Sequence, residues 1–189
     1  TLQKQWASAV VGDDATVTVS RGATAIDTLA SDAGAANELD TDATPTTVLA
    51  GETLTLAETL AGGNIGTYTG ALACTGGGTV VGSTLTVDST ATAVVCTYTN
   101  TRTSQQLNLV KAWGANSTTG HTATATTSGG ANNATFISAA PTGTTGVAVA
   151  MLSGNIVTLP VETFGGGASA AMYTTTLVCT GGSPLASGA

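Results

Sequence analysis

The chain is poor in charge. Only 8% of its 189 residues are Asp, Glu, Lys or Arg, with 4 cations against 11 anions and a single His. A net charge of −7 with so few cations argues against an electrostatic grip on nucleic acid or anionic lipid. One His argues against a His-based metal centre or a catalytic triad. No apolar run approaches the ~20 residues needed to span a bilayer. No basic start followed by an apolar stretch marks a signal peptide, so the chain reads as a mature or excised segment. Aromatics are 4%, so any core is built from Val, Leu, Ile and Ala and buries little area per residue.

What is present is Thr, Ala and Gly, about half of the chain. Thr and Val with little Lys, Glu or Leu favour strands over helices. Hydrophobic residues at 42% set the chain apart from disordered sequences, which combine low hydrophobicity with high charge. Small β domains with thin cores usually need covalent staples. Cys74 and Cys96 lie in strand-like stretches and are read as a disulfide, which implies an oxidising, extracellular setting.

The sequence repeats itself. Thr1-Leu2-Gln3-Lys4-Gln5-Trp6 matches Asn108-Leu109-Val110-Lys111-Ala112-Trp113. Gly51-Glu52-Thr53-Leu54-Thr55-Leu56-Ala57-Glu58-Thr59-Leu60 matches residues 154–164 with one extra residue, aligning Glu58 with Glu162. Residues 68–77, from Tyr68 through Cys74, match residues 173–182, from Tyr173 through Cys179. The three blocks occur in one order at nearly one spacing, which marks an internal repeat. The first repeat continues through Thr84-Leu85-Thr86-Val87 and Val94-Val95-Cys96-Thr97-Tyr98-Thr99-Asn100, and the second stops before equivalents of those strands. Cys179 then awaits a partner outside the segment.

Alternation predicts strands at residues 16–20, 54–56, 72–74, 85–87 and 94–96, with Gly-rich turns at 62–63, 76–78 and 165–167. Residues 21–46 carry much of the Asp without a period and are expected to form a long polar loop or loose edge. The expected fold is all-β: two tandem immunoglobulin-like β-sandwich domains, residues 1–103 and 108–189, joined by a linker at 104–107, the second lacking its last strands.

The two lysines, Lys4 and Lys111, occupy one repeat position, two residues before a Trp. Glu58 and Glu162, two of four Glu, sit at matched positions in apolar stretches, and Asn100 ends the last strand of repeat one. This set resembles the CnaB-type, prealbumin-like (SpaA-like) domains of bacterial surface proteins. The Leu-x-Lys-x-Trp opening and Cys-Thr-Tyr-Thr-Asn ending look like repeats of long adhesin-like proteins. The resemblance implies a prealbumin-like sandwich and an intramolecular isopeptide bond between Lys4 and Asn100, assisted by Glu58. Two departures are a Gly-rich turn before Tyr68 where the family has Gly-Tyr, and the disulfide.

The chemistry is coherent on elementary grounds. Burial disfavours charge. A neutral Lys4 amine can attack the Asn100 side-chain carbonyl while a protonated Glu58 polarises it and passes protons to the departing ammonia. The reaction happens once, so the protein is not expected to be an enzyme in the turnover sense. Lys111 and Glu162 are expected to be an unreacted pair or to meet an Asn from another chain. The bland alternative is a Lys4–Glu58 salt bridge with Asn100 as a turn residue.

Other features point elsewhere. The Gly76-Gly77-Gly78 and Ala61-Gly62-Gly63 turns lack the Lys-Ser/Thr ending of a phosphate loop. Asp13-Asp14 and the pair Asp40 and Asp42 read as solvated loop acids in preference to a Ca²⁺ site, so no cofactor is expected. His121 reads as a surface residue, Trp6 and Trp113 as packing anchors. The expected function is a structural repeat of a secreted, extracellular bacterial surface stalk or fibre, with neighbouring repeats or subunits as partners. The alternatives are a filament subunit that polymerises by donor-strand exchange or intermolecular crosslinking, and a ligand-binding adhesin domain.

Overall fold

A computed structural model of the chain describes residues 1–129, 132–159 and 161–180. The chain divides into two compact units. The first comprises Thr1–Gln105 with Met151–Asn155, the second Gln106–Ala150 and the described residues from Ile156 onward. The matched Gly181-Gly182 and the expected end of the second domain lie outside the described residues. No helix of the described residues is long and apolar enough to cross a membrane.

Unit one is built from nine strands: β1 (Leu2–Ala7), β2 (Asp14–Arg21), β3 (Thr24–Asp32), β4 (Asn37–Thr41), β5 (Thr53–Leu60), β6 (Tyr68–Thr75), β7 (Gly78–Val81), β8 (Thr84–Val87) and β9 (Val95–Arg102). They form a four-stranded sheet in the order β4-β1-β9-β6 and a five-stranded sheet in the order β3-β2-β5-β8-β7. The ladders are antiparallel except β1 and β9, which run parallel. Leu2 and Cys96 of one sheet and Val17, Val19, Leu54, Leu56, Leu85 and Val87 of the other bury their side chains together between the sheets. This is an all-β sandwich, as the alternation predicts, and every strand expected in this unit overlaps an observed one, with 94–96 starting one residue ahead of β9.

Residues 21–46 differ from expectation. They carry two edge strands, β3 and β4, one on each sheet. The reason they escape a hydrophobic period is visible in their covered positions. The partly covered side chains of β4 are Glu38 and Asp40, and Asp40 accepts a hydrogen bond from the Ser31 hydroxyl of β3. An edge strand can line its inner face with acids when each finds a donor.

The end of the sandwich beside Trp6 is closed by a polar lock. Trp6 is fully buried with Ala9, Ala15 and Ala33, and its indole N–H donates to Ser31 Oγ at 2.8 Å. The Tyr68 ring meets Trp6 edge-on, with centroids 5.2 Å apart. The Tyr68 hydroxyl donates to Asp13 Oδ2 at 2.5 Å and accepts from Val10 N–H. Asp13 also accepts from the N–H groups of Ile65 and Gly66, at 2.8 and 2.9 Å. The expectation of a solvated acid is therefore wrong for Asp13, which is 1% exposed. Burial opposes its charge, but the Tyr68 hydroxyl and the two backbone donors outweigh it and hold the carboxyl below its ordinary value. Burial, and then the same hydrogen bond, push the Tyr68 phenol up to about 12.

Cys74 and Cys96 face each other across β6 and β9 and are joined as a disulfide. The bridge ties the last strand of the unit, β9, to its neighbour β6.

Unit two contains β11 (Val110–Lys111), β12 (Thr122–Thr126), β13 (Thr135–Ala139), β14 (Thr144–Thr145) and β16 (Thr163–Gly165); β10 (Ser104–Leu107) and β15 (Val149–Leu152) each straddle the division between the units. The expected linker is thus a short strand, β10. Strands β13, β12 and β16 form one sheet, and β11 pairs with β14. A short 3-10 turn spans Ala170–Met172.

Two outcomes follow. Replacing both Cys74 and Cys96 by Ser should cost unit one about 3 kcal/mol, the entropy of a closed 22-residue loop. A calorimetric melting temperature unchanged by the replacement would contradict this. Asp13 contributes stability that is complete above about pH 4 and is lost as pH falls through its lowered folded value, because the unfolded carboxyl takes up its proton first. Asp13→Asn should therefore unfold with a shallower acid dependence than the parent between about pH 5 and 2, where parallel curves would contradict the assignment.

Candidate crosslinking site

Period two decides where the chemistry lies. In β1 the inward side chains are Leu2, Lys4 and Trp6, so the strand sends a lysine into the sandwich. In β5 Leu54 and Leu56 point inward and Glu58 follows them on the same face. In β9 the fully covered residues are Cys96 and Asn100. Trp6 sits opposite Asn100 in the parallel ladder, and Gly70 sits opposite Asn100 in the antiparallel one. Three strands from two sheets thus converge on one point.

Lys4 and Asn100 are each 0% exposed. Lys4 Nζ lies 3.0 Å from Glu58 Oε1. Asn100 Nδ2 donates to that same oxygen at 3.0 Å. Lys4 Nζ also donates to the Gln5 carbonyl at 3.3 Å and stands 4.1 Å above the Trp6 ring. Burial pushes the Lys4 ammonium below its ordinary value of 10.5, against the opposing pull of Glu58 and, more weakly, Asp40. Asn100 Oδ1 is buried without a hydrogen-bond partner. A β-carbon at Gly70 would come within 3.2 Å of that oxygen and 3.6 Å of Glu58 Oε2, so the glycine leaves the amide its room. The sequence finds all three residues of this set. It misses Gly70, for which the only signal is a glycine inside a strand pattern.

The second unit repeats much of this arrangement. Lys111 Nζ lies 2.8 Å from Glu162 Oε1 and 2.9 Å from Oε2. It stands 4.7 Å from the Trp113 ring centroid. Trp113 donates to Ser138 Oγ at 3.0 Å, and this Trp–Ser separation of 25 residues equals that of Trp6 and Ser31. Tyr173 meets Trp113 edge-on at 5.4 Å, as Tyr68 meets Trp6. Where Tyr68 has Asp13, Tyr173 has His121, whose Nδ1 lies 2.7 Å from the hydroxyl. His121 is thus half-buried and engaged, against the expectation of a plain surface residue. Glu58 divides one oxygen between a lysine and an amide, whereas Glu162 gives both of its oxygens to Lys111. Cys179 is exposed and unbonded.

The remaining acids have local work. Asp40 takes the Ser31 hydroxyl, and Asp42 Oδ1 accepts from the Thr44 N–H at 2.9 Å. Chemically, a buried amine and a carboxamide held on one carboxylate oxygen can exchange a proton through that oxygen and form an amide between them.

No curated protein and no solved structure matches the chain. Residues 1–102 match the prealbumin-like fold domain family of SpaA type. That stretch is more than half of the 189 residues and spans the whole sandwich from β1 to β9, and the chain belongs to this family of prealbumin-like fold domains.

Proposed function

We propose that the chain is a structural module of an extracellular bacterial surface stalk or fibre, whose first unit locks itself with an amide bond between Lys4 Nζ and Asn100 Cγ. Membership of a family of surface pilin and adhesin modules supports the setting. The observation that carries the chemistry is the shared oxygen: Glu58 Oε1 lies 3.0 Å from the attacking nitrogen and 3.0 Å from the leaving one.

The steps follow from that geometry. Lys4 passes a proton to Glu58, an exchange made easier because burial already disfavours the ammonium. The neutral amine attacks Cγ of Asn100, forming a C–N bond. The C–Nδ2 bond breaks as Glu58 gives its proton to the leaving nitrogen and takes one from the newly bonded Lys4 nitrogen, and ammonia leaves. Holding both partners in one place replaces a bimolecular encounter by an intramolecular step. The product is a neutral amide, so a buried cation no longer needs a counter-charge. The amide joins β1 to β9, neighbours in the sheet but 96 residues apart in sequence between Lys4 and Asn100. Together with the Cys74–Cys96 disulfide it fastens β9 on both sides. A fibre module so fastened resists pulling and proteolysis, and a chain with four Lys and Arg, Lys4 among them buried, offers little to trypsin-like proteases.

The folded protein should weigh one ammonia and two hydrogens less than its sequence, and reduction should return only the hydrogens. Glu58→Gln keeps the shape of the side chain and removes its proton transfer, so it should form the amide about 10²-fold more slowly or not at all. A parent protein that keeps its ammonia after folding would overturn the reading.

A further inference from the structure

Trp6 joins Lys4 to a second carboxylate. Its ring carries Lys4 Nζ at 4.1 Å from the centroid, and its indole N–H donates to Ser31 Oγ at 2.8 Å. The Ser31 hydroxyl in turn donates to Asp40 Oδ2. Asp40 leads back to the start, because it sits opposite Lys4 in the β1–β4 ladder. Trp6 and Ser31 are buried, and Asp40 is half-buried. A closed path therefore runs from Lys4 through the indole and the serine to Asp40 and back. The second unit keeps the first half of it. Trp113 donates to Ser138 Oγ at 3.0 Å, but Ser138 gives its hydrogen to the Thr142 carbonyl at 3.2 Å. The Trp–Ser pair is common to both units, and in unit one it ends on a charge.

We propose that Ser31 and Asp40 are positioning residues for the Lys4–Asn100 amide. Through Trp6 they fix the surface on which Lys4 Nζ rests. Asp40 also places a second negative charge on the strand beside Lys4, and that charge sets how fast, and over which pH range, the amide forms. The inference rests on the amide reading of unit one.

Two effects follow, with opposite signs. The indole hydrogen bond stops the ring from turning, so the amine stays 3.0 Å from Glu58 Oε1, the oxygen that also holds Asn100 Nδ2. Held geometry speeds an intramolecular step. The carboxylate works against the same step. A chain of hydrogen bonds that ends on an anion polarises each member, which enriches the indole face and strengthens its hold on a cation. The charge of Asp40 also favours the ammonium directly, though less than burial favours the amine. Ser31 thus aids the reaction, and the charge of Asp40 restrains it.

The pH dependence has a definite sign. The titratable side chains facing Lys4 are Glu58 from β5, Asp40 from β4 and Tyr98 from β9. Burial, and then Glu58, push the Tyr98 phenol up, so it stays neutral where the amide forms. The reactive state holds one proton between Lys4 and Glu58, on the carboxyl. Uptake of a second proton stops the reaction at low pH, and loss of the last one slows it at high pH. A negative neighbour favours both protonations, so removing its charge moves both limbs to lower pH. It also leaves the shared proton on Lys4 for less of the time.

The test is the rate of ammonia loss, read by intact mass across a pH series, in full chain made by chemical synthesis and folded by dilution from denaturant. Asp40→Asn keeps an oxygen for Ser31 and removes the charge. It should react about 2- to 5-fold faster at its optimum, with both limbs roughly half a pH unit lower. Ser31→Ala and Trp6→Phe each break the indole bond and should react about tenfold more slowly. The double variant should be no slower than the slower single one, because both changes remove the same link. An Asp40→Asn profile that superimposes on the parent's, or moves to higher pH, overturns the inference. So does Ser31→Ala reacting at the parent rate. In both cases the parent's own ammonia loss leaves the amide reading standing. Should Ser31→Ala fail to fold, the Asp40→Asn profile decides alone. A parent that never loses ammonia removes the amide reading, and this inference with it.

Discussion

A lysine buried to 0% exposure inside a β-sandwich is the constraint around which unit one is arranged. An ammonium cannot stay there unpaired, since the cost of leaving water is far larger than any single packing contact. Period two of β1 leaves no choice of direction: turning Lys4 outward would turn Leu2 and Trp6 outward with it. The surroundings answer that constraint in order of distance. Glu58 gives a carboxylate oxygen at 3.0 Å, the Gln5 carbonyl a weaker acceptor, and the Trp6 face a π-cloud at 4.1 Å. A salt bridge alone would be a costly solution in a core this poor in large apolar residues. Conversion of the cation to an amide removes the problem, and Asn100 stands on the same oxygen.

The same economy explains the composition. Between the sheets of unit one the buried cluster consists of Leu, Val and one Cys, and the fully buried ring of this unit is Trp6 at one end. Such a core is held by specific bonds more than by area. Three of them stand out in unit one: the disulfide between β6 and β9, the Lys4–Glu58–Asn100 set, and the Tyr68–Asp13 lock. Each joins residues at least 22 apart in sequence, and of the three the disulfide, being covalent, also restricts the unfolded chain.

How much of this is legible in the sequence follows from scarcity. Two lysines in 189 residues, both two places before a tryptophan, leave little room for coincidence; Glu58 and Glu162 follow from the repeat, and Asn100 from the family resemblance. Strands with Val or Leu at alternate positions are also legible. Strands β3 and β4 are not, because Glu38 and Asp40 occupy covered positions that a hydrophobic pattern assigns to solvent. Asp13 is illegible for a related reason: its donors, Ile65, Gly66 and Tyr68, come from more than fifty residues away. The Trp–Ser bonds are hidden too, although their common spacing of 25 residues is present in both repeats. A hydroxyl among 40 threonines and many serines carries no signal until a ring points at it.

The scarcity of lysine also supplies the most direct measurement. Protein labelled with ¹⁵N at the side-chain nitrogen of lysine contains two labelled side chains, Lys4 and Lys111. A heteronuclear NMR spectrum should show one of them as an amide N–H, assigned to Lys4 by its loss in Asn100→Ala. Two ammonium signals and no amide signal would contradict the central claim that the buried lysine is neutralised by a covalent bond.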